Sequence, residues 1–115
     1  MMVNQNIIIE NGILKQYIPN ESEVQIIIPE TVKEIGYRPF LERVMYDGII
    51  CVRKNYTVKS IVIPNSVKTF HKSIFGGLES LTEVEIWGKK YNYKDFDCEA
   101  FFCEITKIYT NIQVH

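Results

Sequence analysis

The sequence predicts a single, mainly β domain, a short solenoid of about three repeats behind an N-terminal β-hairpin cap, and three observations predict it. Residues 26–40, IIIPETVKEIGYRPF, recur as residues 61–75, IVIPNSVKTFHKSIF. Pro29 and Pro64 stand 35 residues apart, and Ile28/Ile63, Val32/Val67, Lys33/Lys68 and Phe40/Phe75 keep the same offset. A fixed period of this size marks units that bury their apolar sides only against their neighbours. The dipeptides Asn11-Gly12 and Asp47-Gly48 each interrupt β-branched apolar runs, which is the signature of a two-residue hairpin turn. Apolar residues also alternate with period two ahead of each Ile-Pro pair, as half-buried strands require.

Residues 1–22 read as the hairpin cap, 23–57 as the first repeat, 58–80 as the second, and 81–115 as a degenerate repeat with a C-terminal cap. Each complete unit runs hairpin, polar loop, strand, Ile-Pro corner and second short strand. Proline suits the corner because it has no N–H and fixes φ, so it ends the ladder and turns the chain. The strand before the corner aligns in four copies, residues 23–28, 58–63, 81–86 and 105–110. One inward ladder is then Ile26, Ile61, Val84 and Ile108, and a second is Ile28, Ile63, Ile86 and Thr110. Helix is expected only as short turns near residues 38–42 and 73–78. In the third copy Trp87-Gly88 takes the place of the Ile-Pro corner, as fits an atypical terminal repeat.

Composition excludes several classes of function. Across 115 residues, 13 Lys+Arg against 14 Asp+Glu leave a net charge of −1, so no basic field exists for nucleic acid or an anionic membrane. The longest apolar run falls far short of the roughly 20 residues of a spanning helix, and MMVNQNIII lacks the pattern of a signal peptide. The expected location is therefore the cytoplasm; a leader already removed would instead place the chain outside the cell or on its surface. Cys51, Cys98 and Cys103 are an odd number, which argues against a disulfide framework. The spacing of Cys98 and Cys103 is too long for a Cys-x-x-Cys clip, so the three read as reduced, buried hydrophobes and no metal site is expected.

A search for chemistry yields no catalytic residue and no cofactor site. Nucleophile elbow, Walker loop, HExxH and dinucleotide fingerprints are absent from the sequence. Cys51 or Cys103 with His71 would be the elements of a small cysteine-dependent enzyme, a rival reading that spacing does not favour. His115 closes the chain, and Gly76-Gly77 reads as a turn. Asn20-Glu21-Ser22 and Asn55-Tyr56-Thr57 match the glycosylation acceptor pattern.

The Leu-x-x-Val-x-Ile of residues 81–86, the Ile-Pro-x-x-Val-x-x-Ile/Phe runs of 28–35 and 63–70, and the phenylalanine five residues later resemble BspA-like leucine-rich repeats. IIIENGILKQY and MYDGIICVRKN are similar to the hairpins interleaved in that family. The resemblance covers most of residues 7–110 and implies a right-handed leucine-rich-repeat solenoid that binds other macromolecules, often on a cell surface, with no catalytic residue to carry over. The chain departs from the pattern where the glycine after Val-x-x-Ile, present as Gly36, becomes His71, and where Pro39 and Ile74 replace the small residue before phenylalanine.

Function is therefore expected on the outward positions of the sheet. These are Gln25, Ser60, Glu83 and Lys107 in one row and Ile27, Val62, Glu85 and Tyr109 in the next, with Lys59 alongside. Ile27 beside Val62 is apolar where water is expected, which suggests either a contact patch or cover by an adjacent loop. Four strands present on the order of 320 Å² in projection, below the roughly 800 Å² per partner of a standard interface. The C-terminal run of Ile108, Thr110, Ile112 and Val114 alternates without proline and reads as an open edge for self-association. The expectation is a non-catalytic interaction or scaffolding module with a protein or peptide partner, or a homo-oligomer; an adhesin-like surface fragment is the alternative.

Overall fold

A computed structural model describes residues 6–71, 73–96, 98–109 and 111–115, with Cys98 placed as a helix position only. Strand β1 (Ile7–Glu10) turns back through Asn11-Gly12 into β2 (Ile13–Tyr17). Asn11 has φ 53° and Gly12 φ 78°, the left-handed pair that a tight hairpin demands and that Asn and Gly tolerate best. Leu14 and Tyr17 of β2 are buried. The chain then forms β3 (Gln25–Ile27), rounds Pro29, and forms the two-residue β4 (Glu34–Ile35), which lies parallel to β2.

A second hairpin, β5 (Glu42–Tyr46) and β6 (Ile49–Arg53), turns through Asp47 at φ 50° and Gly48 at φ 77°. Strands β7 (Ser60–Ile63) and β8 (Thr69–Phe70) then repeat β3 and β4 around Pro64. Strand β9 (Glu83–Ile86) follows, then β10 (Lys89–Asn92), a single 3-10 turn at Tyr93–Asp95, helix α1 (Cys98–Ile108) and the short β11 (Gln113–Val114).

These elements form two main sheets with the core between them. One sheet runs β10-β9-β7-β3, the other β1-β2-β4-β8-β11, and β5-β6 stands apart as a two-stranded sheet. Ile26, Ile61 and Val84 from the first sheet and Leu14, Ile35 and Phe70 from the second are fully buried in one cluster. Paired copies of the sequence repeat are physical neighbours: Ile26 lies opposite Ile61 and Ile35 opposite Phe70, both 35 residues on. From β7 to β9 the offset falls to 23, since Ile61 lies opposite Val84. The difference of 12 is the length of the hairpin Glu42–Arg53. The parallel ladder therefore closes in 23 residues, and the second hairpin is an insertion into it.

Three expectations need correction. The fourth strand copy, residues 105–110, does not exist: it falls on α1 and its exit, with Thr110 outside the described residues. Phe101, Phe102 and Ile105 are buried, a helical spacing that wins over the strand-like alignment, whereas Ile108 is 44% exposed. Helix is thus more than short turns, because α1 has 11 residues, while residues 38–42 and 73–78 contain turns. Trp87-Gly88 is a hairpin tip rather than a corner, with φ 52° and 86°, and it folds β10 antiparallel onto β9. β10 thereby occupies the position that the fourth parallel copy was expected to fill.

The C-terminal edge also shrinks. Among the described residues of 108–114, Gln113–Val114 alone are extended, parallel to β8 and outermost in that sheet, while Ile112 and Val114 pack into or against the core. Cys51 and Cys103 are exposed, because β6 has no layer over it and Cys103 lies off the buried stripe of α1. No helix among the described residues is long and apolar enough to cross a membrane.

Candidate functional site

The sheet β10-β9-β7-β3 presents its outward side chains in two register-aligned rows. Parallel pairing sets Gln25 beside Ser60 beside Glu83, and Ile27 beside Val62 beside Glu85. The antiparallel β10 extends these rows with Asn92 and Lys90. Alternation turns the intervening Ile26, Ile61 and Val84 inward, where all are buried, so the outward rows are held on a rigid base. The face grades in character from apolar at the β3 end to charged at the β10 end.

Ile27 is 63% exposed and Val24, just before β3, 55%, so no loop among the described residues covers this apolar corner. β3 is also the outermost strand of its sheet. Seven residues named from sequence, Gln25, Ile27, Lys59, Ser60, Val62, Glu83 and Glu85, come together here. Lys107 and Tyr109 do not, because the chain at those positions is helix α1 and its exit. Lys90 and Asn92 were missed; the available signal was the Trp87-Gly88 tip between the alternating EVEI and a KKYN whose one β-favouring residue is Tyr91.

The opposite end of this sheet is closed by an aromatic clamp. Trp87 and Tyr109 rings lie 4.8 Å apart, Lys68 Nζ sits 3.8 Å from the Trp87 ring centroid, and Trp87 Nε1 donates to the Val67 carbonyl at 3.1 Å. Tyr109 thus ties the exit of α1 to the β9-β10 tip. Burial, reinforced by a hydrogen bond to Tyr109, holds the Tyr91 phenol well above its ordinary range. At the N-terminal end burial does the same for Tyr17, which donates to the Glu23 carboxylate.

The polar loops before the strands explain the two acceptor-like tripeptides. Asn20 Oδ1 accepts from the Ser22 amide at 3.1 Å, and Asn55 Oδ1 accepts from the amides of Thr57 and Val58 at 3.0 and 2.9 Å. Both asparagines build the same turn one repeat apart, and Thr57 Oγ1 donates to the Glu23 carbonyl of the neighbouring repeat at 3.0 Å. The recurrence of Asn-x-Ser/Thr is turn chemistry.

Cys51 lies in the middle of β6, Cys103 on α1, and His71 just after β8 with its ring 4.8 Å from that of Tyr37. The topology sets these three on separate elements. No group of three His, Cys, Asp or Glu side chains suited to holding a metal is found among the described residues. Comparison of the chain with protein-family models, curated proteins and solved structures gives no match.

Proposed function

We propose that the chain is a non-catalytic interaction module, a short solenoid of the BspA-like leucine-rich-repeat kind, that takes an extended peptide segment of another protein across the outward face of β10-β9-β7-β3. The solenoid reading is supported by the parallel ladders, whose offsets of 35 and 23 residues differ by one hairpin insertion. The observation that carries the binding reading is Ile27, 63% exposed on the outermost strand and aligned with Val62. Such a solvent-facing apolar corner beside a row of Glu85 and Lys90 matches a ligand with an apolar anchor and a polar flank.

Size selects a peptide over a globular surface. Four strands of about four residues each span about 13 Å by 19 Å, or on the order of 250 Å², well under half of the roughly 800 Å² per partner in a standard interface. An extended peptide needs less area, because it presents only its alternate side chains to the face, and the match of those side chains to the apolar and charged rows sets its selectivity. Selection from a displayed random-peptide library tests this: binders should enrich, and Ile27→Lys and Val62→Lys should each weaken them about tenfold or more. Enrichment of peptides that both variants bind as well as the native chain would refute the assignment of this face.

A further inference from the structure

We propose that the β5-β6 hairpin is a homodimerisation element, in which the outer edge of β6 pairs antiparallel with β6 of a second copy about a two-fold axis at Cys51. The starting observation is a hairpin with no layer against it among the described residues. Met45, Tyr46, Ile49, Ile50 and Val52 are between 53% and 75% exposed, and they lie on both of its faces. A two-stranded sheet alone is marginal in water, and a third strand or a covering layer is what ordinarily stabilises it. Neither main sheet has room for it. β4 pairs directly with β8 and β3 directly with β7, so the positions on either side of the insertion are filled.

Turn geometry determines which edge is free and what it offers. With a two-residue tip the closing pair Tyr46 and Ile49 is hydrogen-bonded, and so are the alternate pairs Val44 with Cys51 and Glu42 with Arg53. Ile50 and Val52 therefore direct their N–H and C=O groups outward from β6, and Arg43 and Met45 do so from β5. β5 opens with two adjacent charges, Glu42 and Arg43, which blunt an edge. β6 reads Ile-Ile-Cys-Val before its single Arg53, with no proline, and nothing on it discourages pairing.

A second copy is the occupant that this edge fits. Antiparallel pairing about Cys51 sets Ile50 against Val52 of the partner subunit as the hydrogen-bonded pair, twice by symmetry, with the two Cys51 residues facing each other on the axis. Arg53 is already paired with its own Glu42 at 3.3 Å, and it meets Ile49 of the partner subunit. No like charges oppose each other in this register, and the one charged side chain of β6 meets an apolar one, so the edge carries no repulsion against a second copy. Met45, Ile50 and the partner's Val52 then form a continuous apolar row across the enlarged sheet. This contact is separate from the peptide-binding face and does not depend on it.

Sedimentation of the full chain from about 5 µM to about 500 µM brackets the affinity expected of so small a contact. A monomer–dimer equilibrium should appear. Val52→Pro removes an outward N–H while leaving the hairpin's own bonds, and should weaken the dimer about 30-fold by loss of two symmetric donors. Met45→Pro does the same on the β5 edge and should leave the dimer unchanged. A short bis-maleimide should cross-link a Cys98→Ser/Cys103→Ser variant through Cys51. Because proline can compromise folding, charge pairs provide a second route: the Ile50→Lys/Val52→Lys and Ile50→Glu/Val52→Glu variants should each be monomeric and should form a heterodimer when mixed. A chain monomeric at every concentration, a dimer insensitive to Val52→Pro, loss of the dimer only in Met45→Pro, or failure of the charge-paired variants to associate would overturn the proposal.

Discussion

Trp87→Asn sets two opposed effects against each other at one residue. Trp87 is the chain's single tryptophan and occupies the first position of a hairpin tip at φ 52°, where the other two hairpins carry Asn11 and Asp47. Left-handed φ costs an ordinary side chain roughly 1–2 kcal/mol, and asparagine relieves about half of that. Against this stand three contacts. The ring pair with Tyr109 is worth about 1 kcal/mol, the Lys68 ammonium over the indole about 0.5–1 kcal/mol, and the Nε1 bond to the Val67 carbonyl about 1 kcal/mol. The contacts outweigh the strain, so Trp87→Asn should destabilise the fold by about 2 kcal/mol. Urea unfolding followed by far-UV circular dichroism measures this without needing the indole signal. Trp87→Phe, which keeps the strain and part of the stacking, should cost about 1–2 kcal/mol through the lost donor and cation contact. An asparagine variant as stable as the native chain would refute the argument and show that the ring does nothing to anchor the exit of α1.

Phe101→Ala should destabilise by about 3–5 kcal/mol, since the ring is fully buried among Phe75, Tyr91, Tyr93, Phe96 and Phe102; a loss below 1.5 kcal/mol in thermal or urea unfolding would mean that α1 is not part of the cooperative core. Gly77→Ala should cost about 3 kcal/mol and Gly48→Ala about 1 kcal/mol, because both have positive φ but a Cβ on Gly77 would lie 3.0 Å from Leu41 Cδ1 while one on Gly48 meets nothing within 4 Å; equal melting temperatures would contradict this. For Tyr17 the phenol is neutral in both states below the ordinary value of 10.0 and ionises first in the unfolded chain above it, so stability should fall as pH rises past 10. Tyr17→Phe should remove about 1.4 kcal/mol of the total fall in urea unfolding between pH 9 and 11, and an unchanged fall would remove Tyr17 as its source.

The parallel ladder was legible because its pattern is local and repeated. Ile26, Ile61 and Val84 alternate with polar residues ahead of a corner, and each of those cues acts over a few residues. The same holds for the Asn11-Gly12 and Asp47-Gly48 tips, where backbone φ dictates the residue type. The C-terminal quarter was misread because ITKIYT satisfies a strand alignment and a helical stripe equally well over six residues. The long-range aromatic packing of Phe101 and Phe102 against Phe70 and Phe75 decides it, and no local cue announces that packing. Trp87-Gly88 was misread for the opposite reason: tryptophan is a poor turn residue, and its compensating contacts come from Val67, Lys68 and Tyr109. For the candidate site, six of the named positions were fixed by alternation and Lys59 by its place just before β7, while Lys90 and Asn92 depended on recognising that third tip.

Three hairpins built on the same turn chemistry meet three different fates, and position in the stack decides which. β1-β2 precedes the first repeat and adds β2 to the free side of β4. β9-β10 belongs to the last repeat, and β10 closes the free side of β9. β5-β6 enters between two repeats whose strands already pair with each other, so neither sheet has a gap at that point to admit it. Parallel pairing does not need it, as the 23-residue offset from β7 to β9 shows. The molecule's 14.1 Å radius of gyration, against about 13 Å expected for a compact chain of this length, and its 45 Å longest dimension suit an element that projects from the body. Burial cannot account for the apolar residues of that hairpin, since its five large ones remain more than half exposed. The β6 pairing with a second copy proposed above would bury the free edge of an insertion that the parallel ladder does not require and that is apolar on both faces.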